Sequence, residues 1–214
     1  MDVFDIFHQA ANPEKAIPMK AYMRNQFEFL GITAPERKIL IRDFFKTIDL
    51  TTIDWDFVQQ CWEQPEREFQ YLGIAYLIKL KKRLTIEDIP RLRQLILTKS
   101  WWDTIDSLDK LLGILALNNP IVEAILLEWS TDENIWVRRV AIDHQILRRA
   151  QTNTDLLEKI LLNNLGQSEF FINKAIGWSL RDYSKTNPEW VSDFIARHQE
   201  KMAPLSIREG SKYL

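Results

Sequence analysis

The chain has 214 residues, of which 46% are hydrophobic and 27% are charged, and its net charge is −2. These values indicate a folded globular protein and exclude disordered, collagen-like and low-complexity chains. The single cysteine, Cys61, excludes an internal disulfide and favours a reducing compartment. We find no signal-peptide pattern at the N-terminus and no apolar run of membrane-spanning length, so we expect a cytoplasmic protein with no membrane partner.

Helix-start signals recur along the chain, beginning with the prolines that suit a first helical position: Pro13, Pro35, Pro65, Pro120 and Pro188. Capping boxes, in which a Ser or Thr is followed by an acid three residues later, begin at Thr33, Thr85 and Ser100. Between these signals apolar residues recur at helical spacing, most clearly in 101–115. We find no strand-like alternation, so the sequence predicts an all-α fold.

The predicted helices come in pairs. First helices begin at intervals of 33 or 34 residues, near Asp54, Glu87, Pro120, Thr154 and Pro188. Second helices begin near Pro65, Trp101, Asn134, Glu169 and Pro204. This period is typical of an α-solenoid of HEAT-like antiparallel helix pairs. We therefore expect a single repeat domain over 1–214, with N-terminal capping helices in 1–50 and helix pairs in 54–212.

Charge differs between the two sets of helices. The first helices are acidic in sum, and the second helices are basic in sum, over 65–83, 101–118, 134–149 and 169–185. In a curved stack, one set lines the concave face, which would then be basic and would attract a polyanion. The alternative is that these charges only keep solvated faces soluble.

The helix over 101–118 departs from this basic pattern because it carries several aspartates. Asp103 has a structural explanation as the capping partner of Ser100. Asp106 has no such explanation, and it lies one turn after Trp102. A carboxylate beside an indole in a cationic groove would repel phosphates, so it suggests stabilisation of a developing cation or activation of a water. The alternative is an ordinary solvated charge.

Arg139 falls inside an apolar arc of its predicted helix, where an arginine is rarely left without a partner. The sequence leaves three partners open: Asp106 of the preceding repeat, Asp143 one turn further on, or a ligand phosphate.

Indoles recur on three successive second helices, as Trp102, Trp136 and Trp178. They either fill the core or line a surface that contacts a cationic group. The three histidines have no metal-ligand spacing, and no phosphate-binding loop or nucleophile motif occurs. We therefore expect no metal and no cofactor.

The segment 98–108, TKSWWDTIDSL, resembles the hallmark of bacterial alkylpurine DNA glycosylases built from HEAT-like repeats, the AlkD type. Other segments resemble that family in the same order: 12–32, 34–38, 65–70, 134–142, 170–188 and 203–209. The resemblance covers almost the whole chain. It implies base excision repair, by hydrolysis of the N-glycosidic bond of cationic purines alkylated at N3 or N7 in double-stranded DNA. We further expect a monomer.

Carried over by motif, the resemblance places the catalytic carboxylate at Asp106, its neighbouring indole at Trp102 and a second aromatic wall at Trp178. It places the family's arginine at Arg139, where it would hold a phosphate beside the lesion. The residues that we expect to bind DNA are Tyr22, Arg37, Lys38, Arg138, Arg148, Arg149 and Arg181.

Two features depart from the family pattern. Asp143 stands where the family is aliphatic, four residues after Arg139, and could partly neutralise it. The chain ends at Leu214, before the basic C-terminal tail of longer members. Both departures predict weaker DNA affinity.

Two other functions stay open. A non-catalytic DNA-binding paralogue would tolerate loss of Asp106 or Arg139. A protein-interaction scaffold, the commonest use of α-solenoids, would give Trp102 and Asp106 no joint role. The sequence leaves open the preference between N3-alkyladenine and N7-alkylguanine.

Overall fold

The computed structural model describes residues 2–214, and within that range the protein is all-α, as predicted. The chain divides into two compact units between Leu84 and Thr85. The first unit contains α1 (Val3–Gln9), α2 (Pro13–Tyr22), α3 (Ala34–Phe44), α4 (Trp55–Glu63) and α5 (Arg67–Lys79). The second unit contains α6 (Ile89–Leu97), α7 (Trp102–Ala116), α8 (Pro120–Trp129), α9 (Ile135–Asp143), α10 (Thr154–Leu162), α11 (Phe170–Ser184), α12 (Pro188–His198) and α13 (Pro204–Gly210).

The helices of each pair begin within two residues of their predicted starts. The capping boxes at Thr33 and Thr85 are present. The prediction for Ser100 was wrong, because Trp101 is the N-cap of α7 and the Ser100 hydroxyl donates to the Ile96 carbonyl instead. Pro65 also lies outside a helix, since the chain there runs extended and the Arg67 amide donates to the Glu28 carbonyl.

The first unit is built around an aromatic and aliphatic core that includes Phe7, Phe69 and Leu72. A fully buried carboxylate, Glu68 of α5, ties the loop before α3 to this core by accepting the backbone N–H groups of residues 30–32 at 2.9–3.1 Å. The middle residue, Gly31, has a φ of 87°, a left-handed conformation that glycine adopts without steric cost. The loop conformation therefore depends on one glycine and one buried acid.

The second unit is solenoid-like in its packing. The second helices of successive pairs pack on one another in chain order, α7 on α9, α9 on α11 and α11 on α13, while α6 packs beside α7 and α8 beside α9. Gly113 lets α7 approach α9 closely, since a Cβ built there would lie 2.2 Å from the His144 carbonyl oxygen. This contact places α7 and α9 side by side.

No helix of the described part of the chain is both long enough and apolar enough to cross a bilayer.

Candidate active site

A carboxylate–guanidinium pair joins α7 to α9. Arg139 Nε donates to Asp106 Oδ1 at 2.8 Å, and Nη2 donates to Oδ2 at 3.0 Å. This two-bond contact fixes the plane of the carboxylate as well as its position. Arg139 leaves 1% of its side chain exposed, whereas Asp106 leaves 21% exposed. Asp106 therefore presents an oriented carboxylate at the surface, supported from beneath by a buried cation.

The rest of the Arg139 guanidinium is turned towards α11. Nη1 donates to the Phe171 carbonyl at 2.7 Å, and the guanidinium carbon lies 5.2 Å from the centre of the Trp178 ring. Of the partners that the sequence left open, Arg139 thus hydrogen-bonds Asp106. Contact with a DNA phosphate would need an exposed guanidinium, and this one is buried.

Two further acids lie behind this pair. Asp109 and Asp143 are 3% and 2% exposed, and Asp143 Oδ2 lies 3.7 Å from Arg139 Nη2. One carboxylate oxygen from each of Asp106, Asp109 and Asp143 lies within 4.8 Å of the others. This spacing would suit a cation. The guanidinium of Arg139 already provides a positive charge beside two of the three acids, Asp106 and Asp143. We therefore assign no metal ion to the group.

Burial affects the three acids to different extents. Burial raises the pKa of Asp106, and the charge and hydrogen bonds of Arg139 oppose that rise. Burial raises the pKa of Asp143 to about 7, although Arg139 opposes this as well. Burial, followed by the charge of Asp143, raises the pKa of Asp109 well above its ordinary value. Asp106, the most exposed of the three and the one in two-bond contact with Arg139, is thus best placed to remain ionised near neutral pH.

The indoles predicted to surround the site divide into two groups. Trp102 and Trp178 are partly buried, and Trp102 lies one helical turn before Asp106 on α7. Trp136 is 8% exposed and packs against Trp101 and Phe171, so it belongs to the core. Only two of the three recurring indoles therefore remain available to line a surface.

Three of the residues expected to bind DNA are well exposed. Tyr22 on α2 is 70% exposed, Lys38 on α3 is exposed, and Arg149 follows α9 in an exposed 3₁₀ turn. Arg138 and Arg37 are partly buried, and the Arg37 guanidinium lies 4.3 Å from the centre of the Tyr71 ring.

The other two arginines are held by acids. Arg181 pairs with Glu209 at 2.8 Å. Arg148 is 7% exposed and lies 3.7 Å from Glu123, so it stabilises the fold. The sequence predicted a helix over 134–149, but α9 ends at Asp143, so the helical spacing does not apply to Arg148 and Arg149.

Sequence reasoning missed Asp109, Lys174 and Glu209. Lys174 and Arg181 both lie over the Trp178 ring, at 5.5 and 5.8 Å, and both pair with Glu209 of α13. Asp109 could have been found, because it lies inside the apolar stripe of its helix, where an acid is rare. Glu209 gives no comparable signal, since its burial depends on how α13 packs on α11.

The family model described as DNA alkylation repair enzyme matches residues 5–214. The chain belongs to this DNA alkylation repair enzyme family. It is therefore an enzyme of DNA repair, with DNA as its substrate.

A solved structure agrees with this membership, and a second one shares the fold. A predicted DNA alkylation repair enzyme from Enterococcus faecalis is 38% identical, with a TM-score of 0.87 over 95% of this chain and 96% of that chain. The smu.31 protein of Streptococcus mutans UA159 is 15% identical, with a TM-score of 0.60 over 83% of this chain and 97% of that chain, and it shares the fold alone. No curated protein matches this DNA alkylation repair enzyme significantly.

Proposed function

We propose that this DNA repair enzyme is a DNA glycosylase that hydrolyses the N-glycosidic bond of cationic N3- and N7-alkylated purines in double-stranded DNA. The observation that carries the proposal is the Asp106 carboxylate, which is partly exposed and held by two hydrogen bonds from buried Arg139. A fixed negative charge at a surface is suited to a reaction in which positive charge develops on the substrate.

The reaction needs little help with the leaving group. In an alkylated purine the base already carries a positive charge, and the C1′–N bond breaks with its electron pair going to the base, which leaves neutral. Positive charge then develops on the deoxyribose, where Asp106 stabilises it. A water oxygen bonds to C1′, and the proton lost from that water passes to the Asp106 carboxylate or to solvent.

The neighbouring side chains give Asp106 its setting. Trp102, one helical turn before Asp106, is the indole that we expect to contact the sugar and the cationic base, because the Trp178 ring already lies 5.2–5.8 Å from three protein cations. Arg139, which is buried, orients Asp106 instead of binding a phosphate. Backbone contacts with DNA fall to exposed residues such as Tyr22, Lys38 and Arg149.

The direct test is release of free methylpurines from DNA methylated in vitro, compared between the wild-type protein and Asp106→Asn. Loss of one oriented charge is expected to lower the single-turnover rate about 100-fold or more. Binding of the same DNA should persist, because Asn keeps the size of the side chain and removes a charge that repels phosphates.

The matched control is Asp193→Asn, since Asp193 is an exposed acid on α12. It should release methylpurines at the wild-type rate. Wild-type protein that binds DNA and releases no methylpurine would instead indicate a non-catalytic DNA-binding member of the family. Protein that neither binds DNA nor releases base would defeat the proposal.

A further inference from the structure

Two buried acids beside the proposed active site have no role in the reaction as described. Both carboxylate oxygens of Asp143, and Oδ1 of Asp109, accept no hydrogen bond from any residue within 2–214. The distance of 3.7 Å between Asp143 Oδ2 and Arg139 Nη2 is too long for a hydrogen bond. A buried polar group without a partner is costly, so this arrangement calls for a physical account.

The charges of the group do not balance if all three acids are ionised. Asp106, Asp109 and Asp143 would contribute three negative charges within 4.8 Å. Arg139 contributes one positive charge, and the exposed Lys110 ammonium lies 4.0 Å from Asp109 Oδ1 and donates to the backbone carbonyl of Asp106. Like charges so close together in a buried site retain a proton.

On the other helices packed against α9, Arg93 of α6, Glu123 of α8, Glu158 of α10 and Lys174 of α11 each pair with a residue outside the three acids. His144, the next residue, is neutral because burial lowers its pKa to about 3. The pairs are Arg93–Asp132, Arg148–Glu123, Arg197–Glu158 and Lys174–Glu209. The groups that face Asp143 are thus Arg139 on its own helix and the two aspartates and the lysine of α7.

We propose that Asp143 is a positioning residue for Asp106 and acts through Arg139. As a neutral acid, Asp143 leaves the guanidinium in its two-bond contact with Asp106. When it ionises, by losing its proton to solvent, it draws Nη2 across the 3.7 Å gap and loosens that contact. The inference rests on the proposed function, because the reaction at Asp106 reports the change.

The raised pKa of Asp143 agrees with this geometry. Burial raises the pKa of Asp143 to about 7, so the change from neutral acid to carboxylate takes place near neutral pH. The aliphatic residue that the family resemblance predicts at this position would not titrate. The effect is therefore specific to chains with an acid here.

The kinetic test compares Asp143→Asn, which stays neutral at every pH, with the wild-type protein. The rate of Asp143→Asn divided by the wild-type rate, both measured under single-turnover conditions, cancels any pH dependence of the substrate. This ratio is expected to rise about threefold or more between about pH 6 and about pH 8.5, as the wild-type Asp143 ionises. A ratio that stays constant over this range would overturn the proposal.

Two further variants complete the experiment. Asp143→Leu, which restores an aliphatic residue, should give the same rising ratio if the asparagine variant does not fold. Asp193→Asn should give a flat ratio, because Asp193 is exposed on α12. Release that chelation by EDTA abolishes in the wild-type protein, and not in Asp143→Asn, would mean that a metal ion balances the acids, and would also overturn the proposal.

A denaturation arm separates this inference from the proposed function. The unfolded chain has the ordinary aspartate pKa, whereas the folded pKa of Asp143 is about 7, so between about pH 4 and about pH 7 the folded protein binds more protons. The stability contributed by Asp143 therefore falls as pH rises through this window, so the urea midpoint of the wild-type protein should fall relative to that of Asp143→Asn. Absence of release at any pH would defeat the proposed function, while equal midpoint slopes would defeat the buried proton.

Discussion

Two adjacent arginines after α9 have opposite surroundings. Arg148 donates to the Gly113 carbonyl at 2.8 Å and to Gln145 at 3.1 Å, and it lies 3.7 Å from Glu123. Arg149 is exposed and has a left-handed φ of 54°. Because one side chain turns inward and the next turns to solvent, two adjacent arginines have different surroundings, and only the exposed Arg149 is proposed to contact DNA.

We expect Arg148→Gln to lower the free energy of unfolding by about 2 kcal/mol, since buried acceptors lose their donors. Arg149→Gln should change stability by less than about 0.5 kcal/mol and weaken DNA binding instead. Urea denaturation and fluorescence anisotropy with a DNA duplex measure the two effects. The assignment fails if Arg148→Gln weakens DNA binding without changing the denaturation midpoint.

At the scale of the elements, the geometry of the proposed active site depends on the contact between α7 and α9. Asp106 lies on α7 and Arg139 on α9, and Gly113 lets α7 approach the His144 carbonyl at the end of α9 closely. N-capping by Asn134, which accepts the N–H groups of the next turn, fixes where α9 begins. A shift of either helix by a fraction of an ångström would break a two-bond contact.

Gly113→Ala is expected to destabilise the protein by about 3 kcal/mol, because the added methyl would overlap a backbone oxygen that cannot rotate away. Base release should fall with it, since Asp106 and Arg139 separate. Ser107→Ala, on the same helix and partly exposed, should change stability by less than about 0.5 kcal/mol. Thermal unfolding and methylpurine release provide the readouts, and equal melting temperatures for wild type and Gly113→Ala would contradict the packing argument.

At the scale of the whole molecule, a net charge of −2 coexists with a substrate that is a polyanion. The proposed explanation is separation of charge, with cations on the DNA-facing surface and acids on the first helices of the pairs. A basic concave face stays a prediction. Its consequence is that DNA affinity depends on salt although the protein as a whole is acidic.

The slope of log affinity against log salt tests this separation. Lys38→Gln, which removes an exposed cation expected to contact a phosphate, should reduce the magnitude of the slope by about 1. Arg197→Gln is the matched control. Arg197 is exposed on α12, which is the first helix of its pair, and it forms an ion pair with Glu158. Its slope should equal that of the wild type, and an equal reduction in both variants would rule out a localised DNA-binding surface.

The helices themselves follow from the sequence alone. Caps, prolines and apolar spacing act within a few residues, so the chain predicts the helix starts, the pairing and the all-α fold before any long-range contact forms. The same local signals mark Asp106 as an acid without a capping role and Arg139 as a cation inside an apolar arc. Where a helix ends earlier than predicted, as α9 does at Asp143, helical spacing no longer tells which of the following side chains are buried.

Tertiary packing alone decided which partner each of these residues has. Asp106 and Arg139 are 33 residues apart, and their contact depends on the register of α7 against α9, which no local pattern encodes. The same packing buries Asp109 and Asp143 beside Arg139 and turns Arg148 inward. Burial is a property of the assembled helices, and burial determines whether an acid holds a proton and whether an arginine can reach DNA.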